Sequence, residues 1–133
     1  MRRAKIKFDV ISVPGDFAAR GGSKAAEILL KRNTLPTAVV CNNDESAMGL
    51  WHRLLQAGIK IPQEISVVGY DDSVAGYPYL DMTTVRQDSD ELASAAMGDL
   101  SSRINGEKYL AQTYLTSAKL IVRSSTTKAR KSK

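Results

Sequence analysis

The stretch that most constrains this chain runs from Pro36 to Asp72, where the pattern reads strand, helix, strand. Thr37 to Cys41 is a short apolar run rich in β-branched residues. Asp44 to Ala57 carries Ala47, Leu50, Trp51, Leu54 and Leu55 at helical spacing, and Ile65 to Tyr70 is a second apolar run. Polar residues follow both runs: Asn42, Asn43 and Asp44 after the first, Asp71 and Asp72 after the second. If the two strands are parallel neighbours, those polar clusters meet at one edge of the sheet. Open α/β sheets bind their ligands at that edge.

The flanking sequence repeats the alternation. Phe8 to Val13 has strand composition, Pro14-Gly15-Asp16 reads as a turn with Asp16 placed to cap, and a helix then runs to about Arg32. Gly21 and Gly22 weaken that helix, which predicts close approach to a neighbour. Asp44 and Glu45 complement the dipole of the second helix, Gly58 is placed to end it, and Pro62 bars its continuation. An irregular stretch from Ser73 to Asp81, bearing Tyr77 and Tyr79, sits after the polar edge. Thr83 to Gln87 reads as a third strand. Asp88 to Asp90 opens a long helix with Leu92, Ala96, Leu100 and Ile104 on one stripe, closed by Asn105-Gly106. Gln112 to Leu115 and Leu120 to Val122 read as the last strand or strand pair, and Ser124 onward as a tail. Strands separated by helices imply an α/β fold with a mostly parallel sheet.

At 133 residues there is room for one core. No apolar run reaches membrane-spanning length and Met1 to Lys7 lacks the apolar centre of a signal peptide, so the expected location is cytoplasmic. The single cysteine, Cys41, excludes an internal disulfide and a cysteine-cluster metal site, and reads as a small apolar residue in a strand. The net charge of +5 is misleading as a nucleic-acid signal, because 8 of the 19 basic residues lie in residues 1–7 and 128–133. The body between them holds all 14 acidic residues and is mildly acidic.

Candidate chemistry concentrates on the polar edge. Asp71 and Asp72 suit hydrogen bonding to a small polar ligand, or Mg²⁺ chelation as in phosphoryl-transfer enzymes. The structural alternative is that Asp72 caps a turn while Asp71 is solvated. Ligand binding is the preferred reading, since no second carboxylate pair occurs and no lysine ends a later strand. Asn43 and Asp44 both suit ligand contact or helix capping. Phe17 suits an apolar platform under a ring, or a staple on its own helix. Gln87 brings another amide to the same edge. Met48 and Trp51 belong to the core or to a stripe a partner could cover. His52 reads as solvated surface, with no triad partner. No catalytic, metal or cofactor site is expected.

The phrases Pro36-Thr37-Ala38-Val39-Val40-Cys41-Asn42-Asn43-Asp44, Ala47-Met48-Gly49, Ile65-Ser66-Val67-Val68-Gly69-Tyr70-Asp71-Asp72 and Thr83-Thr84-Val85-Arg86-Gln87, with the closing Leu120 to Thr126, resemble the LacI/GalR family of transcription regulators. The resemblance implies the C-terminal lobe of a doubly wound, periplasmic-binding-protein-like (type I) domain over residues 8–126, between a basic segment at 1–7 and a basic tail at 127–133. It implies a sugar-like effector bound by Phe17, Asn43 and Asp71 with Gln87 near the hinge. It places Met48, Trp51 and Tyr77 toward a homodimer interface, and implies operator DNA contact through an N-terminal helix-turn-helix outside this chain. A strand expected between those at Phe8 and Thr37 has no counterpart, so the expectation is a truncated C-terminal part that folds poorly alone.

Overall fold

The computed structural model describes residues 9–14, 17–107 and 113–129. The elements in chain order are α1 (Ala19–Leu30), β1 (Ala38–Val40), α2 (Asp44–Gln56), β2 (Ser66–Val68), β3 (Thr84–Gln87), α3 (Ser89–Ile104) and β4 (Ala118–Ile121). The expected strand-helix-strand unit forms: β1 and β2 pair in parallel with Ala38 opposite Ser66 and Val40 opposite Val68. Parallel bridges join Val68 to Thr83 and Asp71 to Arg86, which lay β3 along the other side of β2. The last strand runs the other way, β4 pairing antiparallel with β3 from Thr84 opposite Ile121 to Gln87 opposite Ala118.

Three sequence expectations are corrected. Residues 9–14 form no strand, since strand-like composition supplies no ladder partner and none faces them among the described residues. The last strand begins at Ala118, two residues before Leu120, while residues 113–117 are irregular and Gln112 lies outside the described residues. The supposed tail is part of the sheet: Ser125 is buried, its carbonyl accepts from Val67 N at 3.0 Å, and its hydroxyl donates to Val67 O at 2.6 Å. The same hydroxyl accepts from Thr83 N at 2.8 Å, so the residue after β4 fills the ladder between β2 and Thr83. The basic segment at 1–7, expected as the end of a truncated helix, and the cap at Asp16 lie outside the described residues.

The core is built from α1 and α2 against β2 and the loop that follows it: Ala26, Leu29, Ala47, Leu50, Leu54, Ile65, Val67, Ala75, Leu80 and Met82. α2 and α3 are specified locally as well. α2 ends in a Schellman turn, with Gly58 at φ 79°, its N–H on Leu55 O at 2.9 Å and Ile59 N on Leu54 O at 3.1 Å. α3 is capped by the Asp88 carboxylate on Glu91 N and closed by Gly106 in the same manner. Its apolar stripe, however, buries no residue, and Ile104 is 76% exposed. Among the described residues no helix is long and apolar enough to cross a membrane.

The expected close approach is at Gly22. A Cβ there would stand 1.8 Å from Ser46 O, and one at Gly49 would stand 1.8 Å from Ala19 O, so the two helix backbones cross at each other's glycine. Gly22→Ala should therefore lower the thermal midpoint by the equivalent of about 3 kcal/mol or more. Gly98→Ala, in open space on α3, should cause no loss, because there the added methyl meets nothing within 4 Å. Equal effects of the two substitutions would contradict this packing.

Candidate functional site

Because β1, β2 and β3 run in parallel, Asn43, Asp71 and Gln87 leave the sheet at one edge. Asn43 is the N-cap of α2, its Oδ1 accepting from Ser46 N at 2.9 Å. Its Nδ2 donates to the Phe17 carbonyl at 2.6 Å, so two of the expected site residues are in contact. Phe17 has φ 57° and is 69% exposed, which rules out a staple on its own helix and leaves its ring in the open.

Asp44 is neither cap nor ligand contact. It is fully buried, and its carboxylate accepts from Val74 N at 3.3 Å, Ala75 N at 3.2 Å and the Thr84 hydroxyl at 2.6 Å. The absence of a side chain at Gly69 makes room for it, since a Cβ there would lie 2.1 Å from Asp44 Oδ1. Cys41, beside it, has its thiol pushed up to about 12 by burial and by the Asp44 charge, and stays protonated.

Of the two acidic residues after β2, Asp71 takes the turn role expected of Asp72, while Asp72 is buried in ion pairs rather than solvated. Asp71 makes the local turn, its Oδ1 accepting from Ser73 N at 3.0 Å, while its own N–H donates to Val85 O at 2.8 Å. Asp72 is the buried one, with a side chain 5% exposed. Its Oδ2 accepts from Arg86 Nε at 2.6 Å, and its Oδ1 lies 2.8 Å from Arg123 Nη1, close enough for an ion pair though not aligned as a hydrogen bond. Burial pushes the Asp72 carboxyl up, but the guanidinium groups of Arg123 and Arg86 outweigh it and hold it below the ordinary value of 3.8. Both residues sit at positive φ, 97° at Asp71 and 59° at Asp72. Outside glycine that conformation is tolerated best by asparagine and aspartate, whose side chains can bond locally.

Asp71 and Gln87 line one cleft of about 420 Å³, together with Arg86, Asp88 and Lys119. Its wall is mostly polar, as binding of a hydroxylated molecule requires. Phe17 and Asn43 stand farther along the same edge and do not line that cleft. A second, apolar groove of about 510 Å³ lies between α1, α2 and the loop after β2, lined by Ser23, Met48, Trp51, Leu55, Tyr79 and Leu80 among others. Tyr77 stacks on Tyr79 with ring centres 5.5 Å apart. The aromatic loop thus brings Tyr79 to the groove and not to the cleft. His52 is exposed beside it. Arg86, Arg123 and Thr84 are the residues sequence reasoning missed as partners of the acidic cluster; Gly69 in an apolar run was the one local sign of a close approach.

Residues 1–126 match the periplasmic binding protein-like domain family, and the chain belongs to that family. Within it, the similar proteins are LacI-type regulators, and the likeness covers their C-terminal, effector-binding part. The ribose operon repressor of Escherichia coli (strain K12) is 40% identical over 106 residues, which take in 78% of this chain and 32% of the repressor. A LacI-type transcription regulator from Bifidobacterium animalis subsp. lactis is 31% identical, with a TM-score of 0.81 over 86% of this chain and 41% of the other. A LacI family regulator from Lactobacillus casei, solved with bound sucrose, is 32% identical with a TM-score of 0.68, covering 82% of this chain and 41% of the other. The chain therefore spans 32% of the length of the ribose repressor it matches.

The Asp72 pairing has a pH signature. A carboxylate whose folded pKa is depressed stabilises the fold fully above its unfolded value, and that contribution disappears as pH falls through the folded pKa. The thermal midpoint of the wild-type chain should exceed that of Asp72→Asn at neutral pH, and the gap should begin to close as pH falls below 3.8 and go on closing through the lower folded-state value. A gap independent of pH would contradict the ion pairs.

Proposed function

We propose that this chain is the effector-sensing and self-associating part of a LacI-type transcription regulator that responds to a sugar or a similar small molecule and has no enzymatic activity of its own. In this reading Asp71 and Gln87 bind the effector from the cleft wall, with Asn43 and the exposed Phe17 ring completing the edge. The single observation that carries it is the shared polar cleft at the C-terminal ends of parallel strands, holding both Asp71 and Gln87. An ionised carboxylate accepts several hydroxyl hydrogen bonds, and an amide donates and accepts, which fits an uncharged polyol. The relative named for the ribose operon and the neighbour holding sucrose support the same ligand class.

The apolar groove supplies the second half of the reading. Met48 and Trp51 flank it, and the Tyr77–Tyr79 stack stands at its side, so a second copy packed there would cover apolar surface that water now meets. Effector and dimer are then coupled through α2, whose first residues hold the ligand edge and whose middle holds the groove. Operator DNA would be read by an N-terminal helix-turn-helix of the same regulator, biased by that coupling. Such a regulator acts in the cytoplasm. A sugar-binding protein of a transporter, which would share this fold, and a Mg²⁺-dependent phosphoryl-transfer domain are weaker readings: the similar proteins are regulators, and the Asp72 charge is already paired with two arginines.

Titration calorimetry with D-ribose tests the ligand half. Wild-type chain should bind, and Asp71→Asn should weaken binding by about tenfold or more while leaving the thermal midpoint of the free chain nearly unchanged. Equal affinity of the two proteins for D-ribose would overturn the assignment of Asp71.

A further inference from the structure

Asp72 is not explained by its own chemistry at the cleft. Asp72 also stands in the cleft wall, but its side chain is nearly buried and its carboxylate is engaged by two arginines, next to the residue proposed to hold the effector. The corner formed by Asp71 and Asp72 takes positive φ at both residues, a conformation glycine adopts most readily and aspartate adopts when its side chain is bonded. The Asp71 carboxylate is bonded within the turn, to Ser73 N, and the Asp72 carboxylate is not. The backbone gives the corner itself one bond, from Asp71 N to Val85 O at 2.8 Å. On either side Tyr70 O accepts from Asp44 N at 2.9 Å and Ser73 N donates to the Asp71 carboxylate at 3.0 Å, and neither bond reaches Asp72.

What holds the second residue comes from far along the chain. Arg86 reaches Asp72 from β3, and Arg123 reaches it from just after β4. Arg123 is itself fixed, its Nη1 donating to Met82 O at 2.8 Å and its guanidinium lying where a Cβ on Gly76 would come within 3.3 Å. Arg86 is half in the open and Arg123 is nearly buried, so the clamp has a solvent leg and a core leg. We propose that Asp72 is a positioning residue: gripped by Arg86 and Arg123, it locks the left-handed corner that presents the Asp71 carboxylate to the cleft.

This rests on the reading of Asp71 as an effector contact, but the geometric part is testable without any ligand. A positive φ brings the amide proton close to its own Hα and gives a strong intraresidue cross-peak in nuclear Overhauser spectra. The wild-type chain should show that peak at Asp71 and at residue 72. Asp72→Asn should lose it at Asp71 while the cross-peaks of β1 and β2 persist, and should bind D-ribose about tenfold or more weakly at a temperature well below both melting midpoints. Arg86→Gln, which removes only the solvent leg, supplies the same spectral comparison if Asp72→Asn does not fold, and should weaken the Asp71 peak. Persistence of the Asp71 peak in whichever variant is folded would overturn the proposal. So would loss of stability in Asp72→Asn with unaltered ribose affinity, which is what a merely structural role gives. Failure of the wild-type chain to bind D-ribose would instead count against the proposed ligand, and the spectra would still decide the role of Asp72.

Discussion

The structure depends on one buried carboxylate. Asp44 sits at the first turn of α2, below the sheet edge, and gathers two backbone amides from the loop after β2 and a hydroxyl from β3. Those groups come from segments thirty to forty residues away, so Asp44 joins elements that local sequence leaves independent. Burying an ionised group is tolerable only with such a set of donors, and removing it would leave the donors unpaired in the interior. With α2 pinned in this way, its cap Asn43 lies on the ligand edge and its apolar middle faces the groove.

The parts legible in the sequence are those specified within one element. The Pro36 to Asp72 unit has its strands and helix where apolar spacing put them, because β1, α2 and β2 each carry their own period and end signals. Gly58 ends α2 and Gly106 ends α3 for the same local reason, the left-handed turn each supplies. Gly22 was legible through its cost: a helix keeps glycine in its interior where a second backbone needs the space. Residues 9–14, by contrast, have strand composition without a ladder, and composition carries no information about partners. Ser125 looked like a tail residue because nothing in its neighbours announces a hydroxyl shared between β2 and Thr83.

The candidate site divides along the same line. That Asn43, Asp71 and Gln87 share an edge follows from parallel strands, which the alternation of elements implies. Which of two adjacent aspartates is buried does not follow, since it is decided by arginines 14 and 51 residues distant. α3 marks the other boundary. Its caps make it a helix, but its stripe finds no packed neighbour among the described residues, so a helix of 16 residues rests here on local terms that are marginal in water.

The most direct measurement is amide hydrogen exchange at Val74 and Ala75 in wild-type chain and in Asp44→Ala, read together with thermal melting. If the buried carboxylate ties α2 to the sheet edge, the substitution should lower stability by about 3 kcal/mol or more and strip protection from both amides. Unchanged protection at Val74 and Ala75 with an unchanged melting midpoint would contradict the account.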